Sequence, residues 1–64
     1  MTPEQIEIVA RITEAAIEER QVMSRAVRDK FGDRITVALA SECDQRDREI
    51  AALEANMSLI RSAD

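Results

Sequence analysis

The chain contains one glycine, Gly32, and one proline, Pro3, among its 64 residues. Chain reversals depend on residues that accept left-handed or fixed backbone angles. With so few of them, a fold of many short strands has nowhere to turn. Pro3 stands where proline is tolerated, in the first turn of a helix. Thr2 before it suits the N-cap, and Gln5 completes a capping box in which cap and third helical residue satisfy each other's backbone. No breaker follows until Gly32, so the pattern predicts a helix from about Pro3 to Phe31. Acids dominate its first half and bases its second, which complements the helix dipole. Gly32 is the natural C′ residue and Asp33 the next N-cap, with a second helix expected over about Arg34 to Arg61. Its β-branched opening, Arg34 to Leu39, would suit a strand, but a lone strand has nothing to pair with. The expected fold is all-α, a single antiparallel helical-hairpin domain over residues 1–64 with its turn at about 32–33.

The second helix carries a heptad line: Leu39, Cys43, Arg46, Ile50, Leu53, Met57 and Ile60. Alternating steps of four and three keep such residues on one seam. The first helix offers a line of the same rhythm, Ile8, Ile12, Ala15, Glu19, Val22 and Ala26. Folding the chain back at Gly32 sets Ile8 opposite Met57, Ile12 opposite Leu53, Ala15 opposite Ile50, Val22 opposite Cys43 and Ala26 opposite Leu39. The one charged position of each line then falls on the same rung, which predicts a structural salt bridge between Glu19 and Arg46. Its value lies in register more than stability, because desolvation offsets much of the attraction.

A two-helix hairpin of this length buries too little apolar surface to stand alone. Further apolar residues flank the seams, and Ile6, Val9, Ala16, Met23, Ala52 and Leu59 are the expected dimer interface. Pairing two hairpins into a four-helix bundle is the simplest way to cover them, and twofold dimers are the commonest oligomers.

Site chemistry is sparse. The chain has no His, Trp or Tyr, one Cys and one Phe. Cys43 lies on the apolar seam without a histidine to activate it, where a thiol is normally inert. The carboxylate groups Glu14, Glu18 and Glu19, and Glu42, Asp44, Asp47 and Glu49, lack the histidines that accompany helical carboxylate metal sites. No phosphate loop or nucleophile elbow occurs. The expectation is no enzyme activity, no metal and no cofactor. A single Cys fits a reducing compartment, no secretory apolar segment opens the chain, and the longest uncharged run, residues 35–41, is too short to span a bilayer. These features, with the Met1 start, predict a complete small cytoplasmic product that does not enter membranes.

Net charge is -4, but it is unevenly placed. Arg20, Arg25, Arg28, Lys30 and Arg34 make the expected hairpin tip basic. Eight of the nine bases are Arg, whose forked guanidinium suits interfaces, although codon usage in a GC-rich genome explains the excess equally well.

Length, helical hairpin, expected dimeric bundle, acidic balance and seam cysteine together resemble the Rop family. The likeness is one of pattern over the whole chain and includes no RNA-contact residue; it implies a helical bundle that grips nucleic acid, here through the basic tip. In size and composition the chain also resembles small phage or mobile-element products that bind and block one host protein. The leading expectation is a non-enzymatic protein–protein interaction module, a small dimeric regulator or inhibitor. Its expected partner-binding residues are Arg20, Met23, Arg25, Val27, Arg28 and Phe31, since Arg, Met and aromatic side chains are favoured at interfaces. A nucleic-acid-binding bundle and a structural or assembly subunit are the alternatives.

Overall fold

Thr2 and Gln5 form the expected capping box at the start of the chain. The Gln5 amide donates to Thr2 Oγ1 at 3.1 Å, and the Thr2 amide donates to Gln5 Oε1 at 2.9 Å. The computed structural model describes residues 2–62. Helix α1 runs over Pro3–Phe31, a 3-10 turn covers Gly32–Arg34, and helix α2 runs over Val37–Ser62. The described residues are otherwise without regular structure, and the two helices double back on each other as an antiparallel hairpin.

Gly32 ends α1 with φ 48° and ψ -120°, a conformation that favours a residue without Cβ. Its amide still donates to the carbonyl of Arg28, and its own carbonyl accepts from Ile35 at 3.3 Å. The second helix begins later than expected. Asp33 is taken up in the 3-10 turn, and Thr36 caps α2 instead, its Oγ1 accepting from the Leu39 amide at 3.2 Å.

The molecule is a rod of 47 × 15 × 12 Å with a radius of gyration of 14.7 Å. A compact chain of this length has a radius near 11 Å. The long dimension is that of a single helix, because a 29-residue helix rising about 1.5 Å per residue spans nearly all of it.

On α2 the expected seam turns inward: Cys43 and Met57 are buried, and Leu39, Arg46, Ile50, Leu53 and Ile60 are half-buried. On α1 it does not. Ile8, Ile12, Ala15, Glu19, Val22 and Ala26 are all exposed, and the line facing α2 contains Ile6, Thr13, Ile17, Arg20, Ser24, Val27 and Phe31. At about 100° per residue, this is a rotation of roughly 140° about the helix axis from the expected placement. The facing pairs built on the Ile8 line therefore do not form.

Two features account for the choice. The inward face sets two small hydroxyl side chains, Thr13 and Ser24, among its larger ones, and the separation of packed helices depends on the side chains between them. Thr13 is buried without penalty because its Oγ1 donates to the Val9 carbonyl at 2.8 Å. This rotation also brings three ion pairs across the hairpin: Arg28–Asp47 at 2.7 Å, Arg61–Glu14 at 2.8 Å and Arg20–Glu49 at 3.5 Å.

Candidate interaction surface

The most exposed apolar feature of α1 is the line that was expected inside. Ile8, Ile12 and Val22 are 51%, 65% and 53% exposed, while the two buried residues of the same helix, Thr13 and Ser24, bear hydroxyl groups. Helices ordinarily turn their hydroxyls out and their isoleucines in. On the helical wheel, α1 is apolar round most of its circumference. Its continuously charged side is the narrow arc of Glu4, Glu7, Arg11, Glu14, Glu18, Arg25 and Asp29. Helix α2 covers one margin of the apolar band and leaves the other open.

The uncovered band widens onto one flank of the hairpin. Val9 and Ala16, both half-buried, and the exposed Met23, seven residues apart, lie between the buried seam and the outer line. On α2, Ala52 and Leu59 are exposed beyond Glu49, turned toward the outer face of that helix on the side marked by the Arg20–Glu49 pair. Leu59 is 68% exposed. Of the six expected interface residues, Met23, Ala52 and Leu59 are exposed and Val9 and Ala16 are half-buried. Ile6 instead lies half-buried with the hairpin seam. The opposite flank is polar and holds Arg28–Asp47 and Arg61–Glu14.

The expected bridge between Glu19 and Arg46 is absent. Glu19 is exposed on the outer face and has no ion-pair partner among the described residues. Arg46 reaches within its own helix, its Nη2 lying 3.8 Å from Glu42 and its Nη1 donating to Cys43 Sγ at 3.9 Å. The rotation of α1 moves Glu19 away, and intrahelical partners satisfy the arginine.

The residues expected to bind a partner do not converge on one patch. Val27 and Phe31 are half-buried in the hairpin seam, with Lys30 Nζ 5.7 Å from the Phe31 ring centroid. Arg28 donates to Asp47, and this hydrogen bond, followed by the attraction between the charges, raises the guanidinium pKa above its ordinary value. Arg20 pairs with Glu49 and also donates to the Ala16 carbonyl at 3.2 Å. Met23 and Arg25 are exposed, but they sit on opposite sides of α1. Sequence reasoning singled out the outer line and assigned it to the hairpin seam, which it does not enter; it missed the burial of Thr13 and Ser24. The signal for Thr13 was its capacity to back-bond within the helix.

Cys43, at 1% exposure, is enclosed between the helices. Among the described residues no group of three or more His, Cys, Asp or Glu is disposed to hold a metal ion, and no helix is long and apolar enough to cross a membrane. Comparison of the chain with protein-family models, with curated proteins and with solved structures finds no match.

Proposed function

We propose that this chain is a non-enzymatic protein–protein interaction module, a small dimeric regulator or inhibitor that acts by binding another protein. The observation that carries the reading is the outer apolar band of α1, with Ile8, Ile12 and Val22 open to solvent above a seam lined by Thr13 and Ser24. Contiguous exposed apolar surface on a small protein marks an interaction site. The side-chain inventory supports the same reading, because it lacks the histidines and tyrosines of ordinary acid–base catalysis and its one thiol is enclosed.

A nucleic-acid grip at the hairpin tip is the second reading, and its basis is narrower. Of the five cations near the tip, Arg20 and Arg28 are already paired with Glu49 and Asp47. Arg25, Lys30 and Arg34 remain without ion-pair partners among the described residues, and they stand beside Asp29 and Asp33.

Affinity capture with the full chain, in parallel with a variant carrying Ile12→Glu and Val22→Glu, tests the module. The wild type is expected to retain a specific protein that the variant does not. Identical sets captured by both, or no specific protein on either, would reject the reading. Retention of nucleic acid that falls steeply with salt would transfer the function to the tip.

A further inference from the structure

We infer that the outer line of α1 is the seam of a homodimer in which the α1 helices of two copies pair antiparallel. This rests on the dimeric part of the interaction-module reading and assigns the outer line to self-pairing, so that the Ile12→Glu, Val22→Glu variant loses its protein partner by losing the dimer that presents the partner surface.

Surface area is the first argument. The chain exposes 4965 Å². A compact monomer of this mass exposes about 4,100 Å². The excess, about 865 Å², is close to the roughly 800 Å² each partner buries in an interface of standard size.

The pattern of the line is the second argument. Ile8, Ile12, Ala15, Glu19, Val22 and Ala26 step by four, three, four, three, four, which reads the same in both directions. An identical helix running the opposite way therefore matches it position for position. Ile8 meets Ala26 of the second copy, Ile12 meets Val22, and Ala15 meets Glu19. Large side chains face small ones at the ends, and the one charged residue faces an alanine that leaves it room to reach water. The neighbouring row adds Val9 opposite Met23 and Ala16 opposite its own copy. Alternating steps of four and three are the signature of a helix that packs on another helix, and α2 does not use this line.

The overall charge distribution along α1 favours the same direction, with Glu14, Arg20 and Arg28 already paired to α2 within each hairpin. Residues 3–19 carry Glu4, Glu7, Glu14, Glu18 and Glu19 against Arg11, a net of -4; residues 20–31 carry Arg20, Arg25, Arg28 and Lys30 against Asp29, a net of +3. Antiparallel pairing sets the acidic half of each copy beside the basic half of the other and opposes the helix dipoles favourably. Parallel pairing sets like beside like. Antiparallel pairing does place Arg11 near Arg25 of the second copy and Glu18 near its own copy. Those contacts lie at the solvated rim, where screening makes them weak.

Sedimentation equilibrium of the full chain at tens of micromolar is expected to give the mass of two chains, and Ile12→Glu is expected to weaken association at least tenfold. Orientation is read from mixed cross-linking on a Cys43→Ala background, combining a chain bearing Ile8→Cys with one bearing Ala26→Cys and a short bis-maleimide. The mixed species should exceed either self-linked species. This readout does not depend on how well the Ile12→Glu chain folds. A one-chain mass, a dimer indifferent to Ile12→Glu, or cross-links dominated by self-linked species or absent altogether would each overturn the proposal. A one-chain mass together with capture of a different protein that depends on Ile12 and Val22 removes the self-pairing and leaves the module reading intact. Loss of both removes both.

Discussion

Arg28 Nη2 donates to Asp47 Oδ2 across 2.7 Å and so ties together two residues nineteen positions apart, one in the last turn of α1 and one well inside α2. Both side chains remain about half exposed, so the pair acts in water-like dielectric and its effect on stability is small. A double-mutant cycle on Arg28→Ala and Asp47→Ala, read from urea midpoints at constant m, is expected to show that either single change lowers the midpoint and that the second adds little. The coupling should vanish in about 1 M salt, where charges a few ångströms apart are already screened. Coupling that persists there would mean the pair is far less solvated than its exposure indicates.

Ser24 is 2% exposed, and its Oγ has no hydrogen-bond partner among the described residues. A buried hydroxyl without a partner is unfavourable, and alanine is the better helix former. Ser24→Ala is therefore expected to raise stability by about 1 kcal/mol in chemical denaturation. A loss of similar size would show that the hydroxyl is satisfied.

Gly32 tests the turn. A Cβ added there meets nothing within 4 Å, so any penalty comes from the positive φ alone. Gly32→Ala is expected to cost about 1–3 kcal/mol. Chemical synthesis allows the mirror-image alanine at the same position, and that chain should recover most of the loss because D-residues favour positive φ. Equal stabilities for the two alanine chains would contradict the turn geometry.

Cys43 reports opening of the hairpin. At 1% exposure its thiol is closed to reagents in the folded state. Labelling by an aromatic disulfide should run at least about a hundredfold slower than in unfolding urea and should track global unfolding. Rapid labelling in buffer would show that the two helices separate readily.

The parts of the fold that were legible in the sequence are those fixed locally. Thr2, Pro3 and Gln5 determine where α1 begins within their own few atoms, and Gly32 determines where it ends. The α2 seam was legible because that helix has one apolar line with heptad spacing. The rotation of α1 was not, because this helix has apolar residues on most of its circumference and two lines compete for α2. Thr13 and Ser24 counted as polar by residue type, yet Thr13 satisfies itself within the helix and both are small enough for the seam. The apparent agreement of Glu19 with Arg46 followed from choosing the other line. The start of α2 shifted because Thr36 and Asp33 are both competent caps, and the 3-10 turn after Gly32 leaves the later one in position. The candidate surface was visible as residues and hidden as a surface: Ile8, Ile12 and Val22 were recognised as a stripe, and only the hairpin geometry shows that none of the described residues covers it.

The left-handed glycine has one further consequence. It is the sole glycine or proline between Pro3 and Ser62, and its positive φ starts the bend that the 3-10 turn and the extended Ile35 complete. If that conformation were disfavoured, the lowest-energy response would keep every interhelical contact and change its ownership, each straightened chain lending its second arm to a neighbour's first. Such an exchanged pair would conserve the buried seam and all three ion pairs while joining two molecules into one.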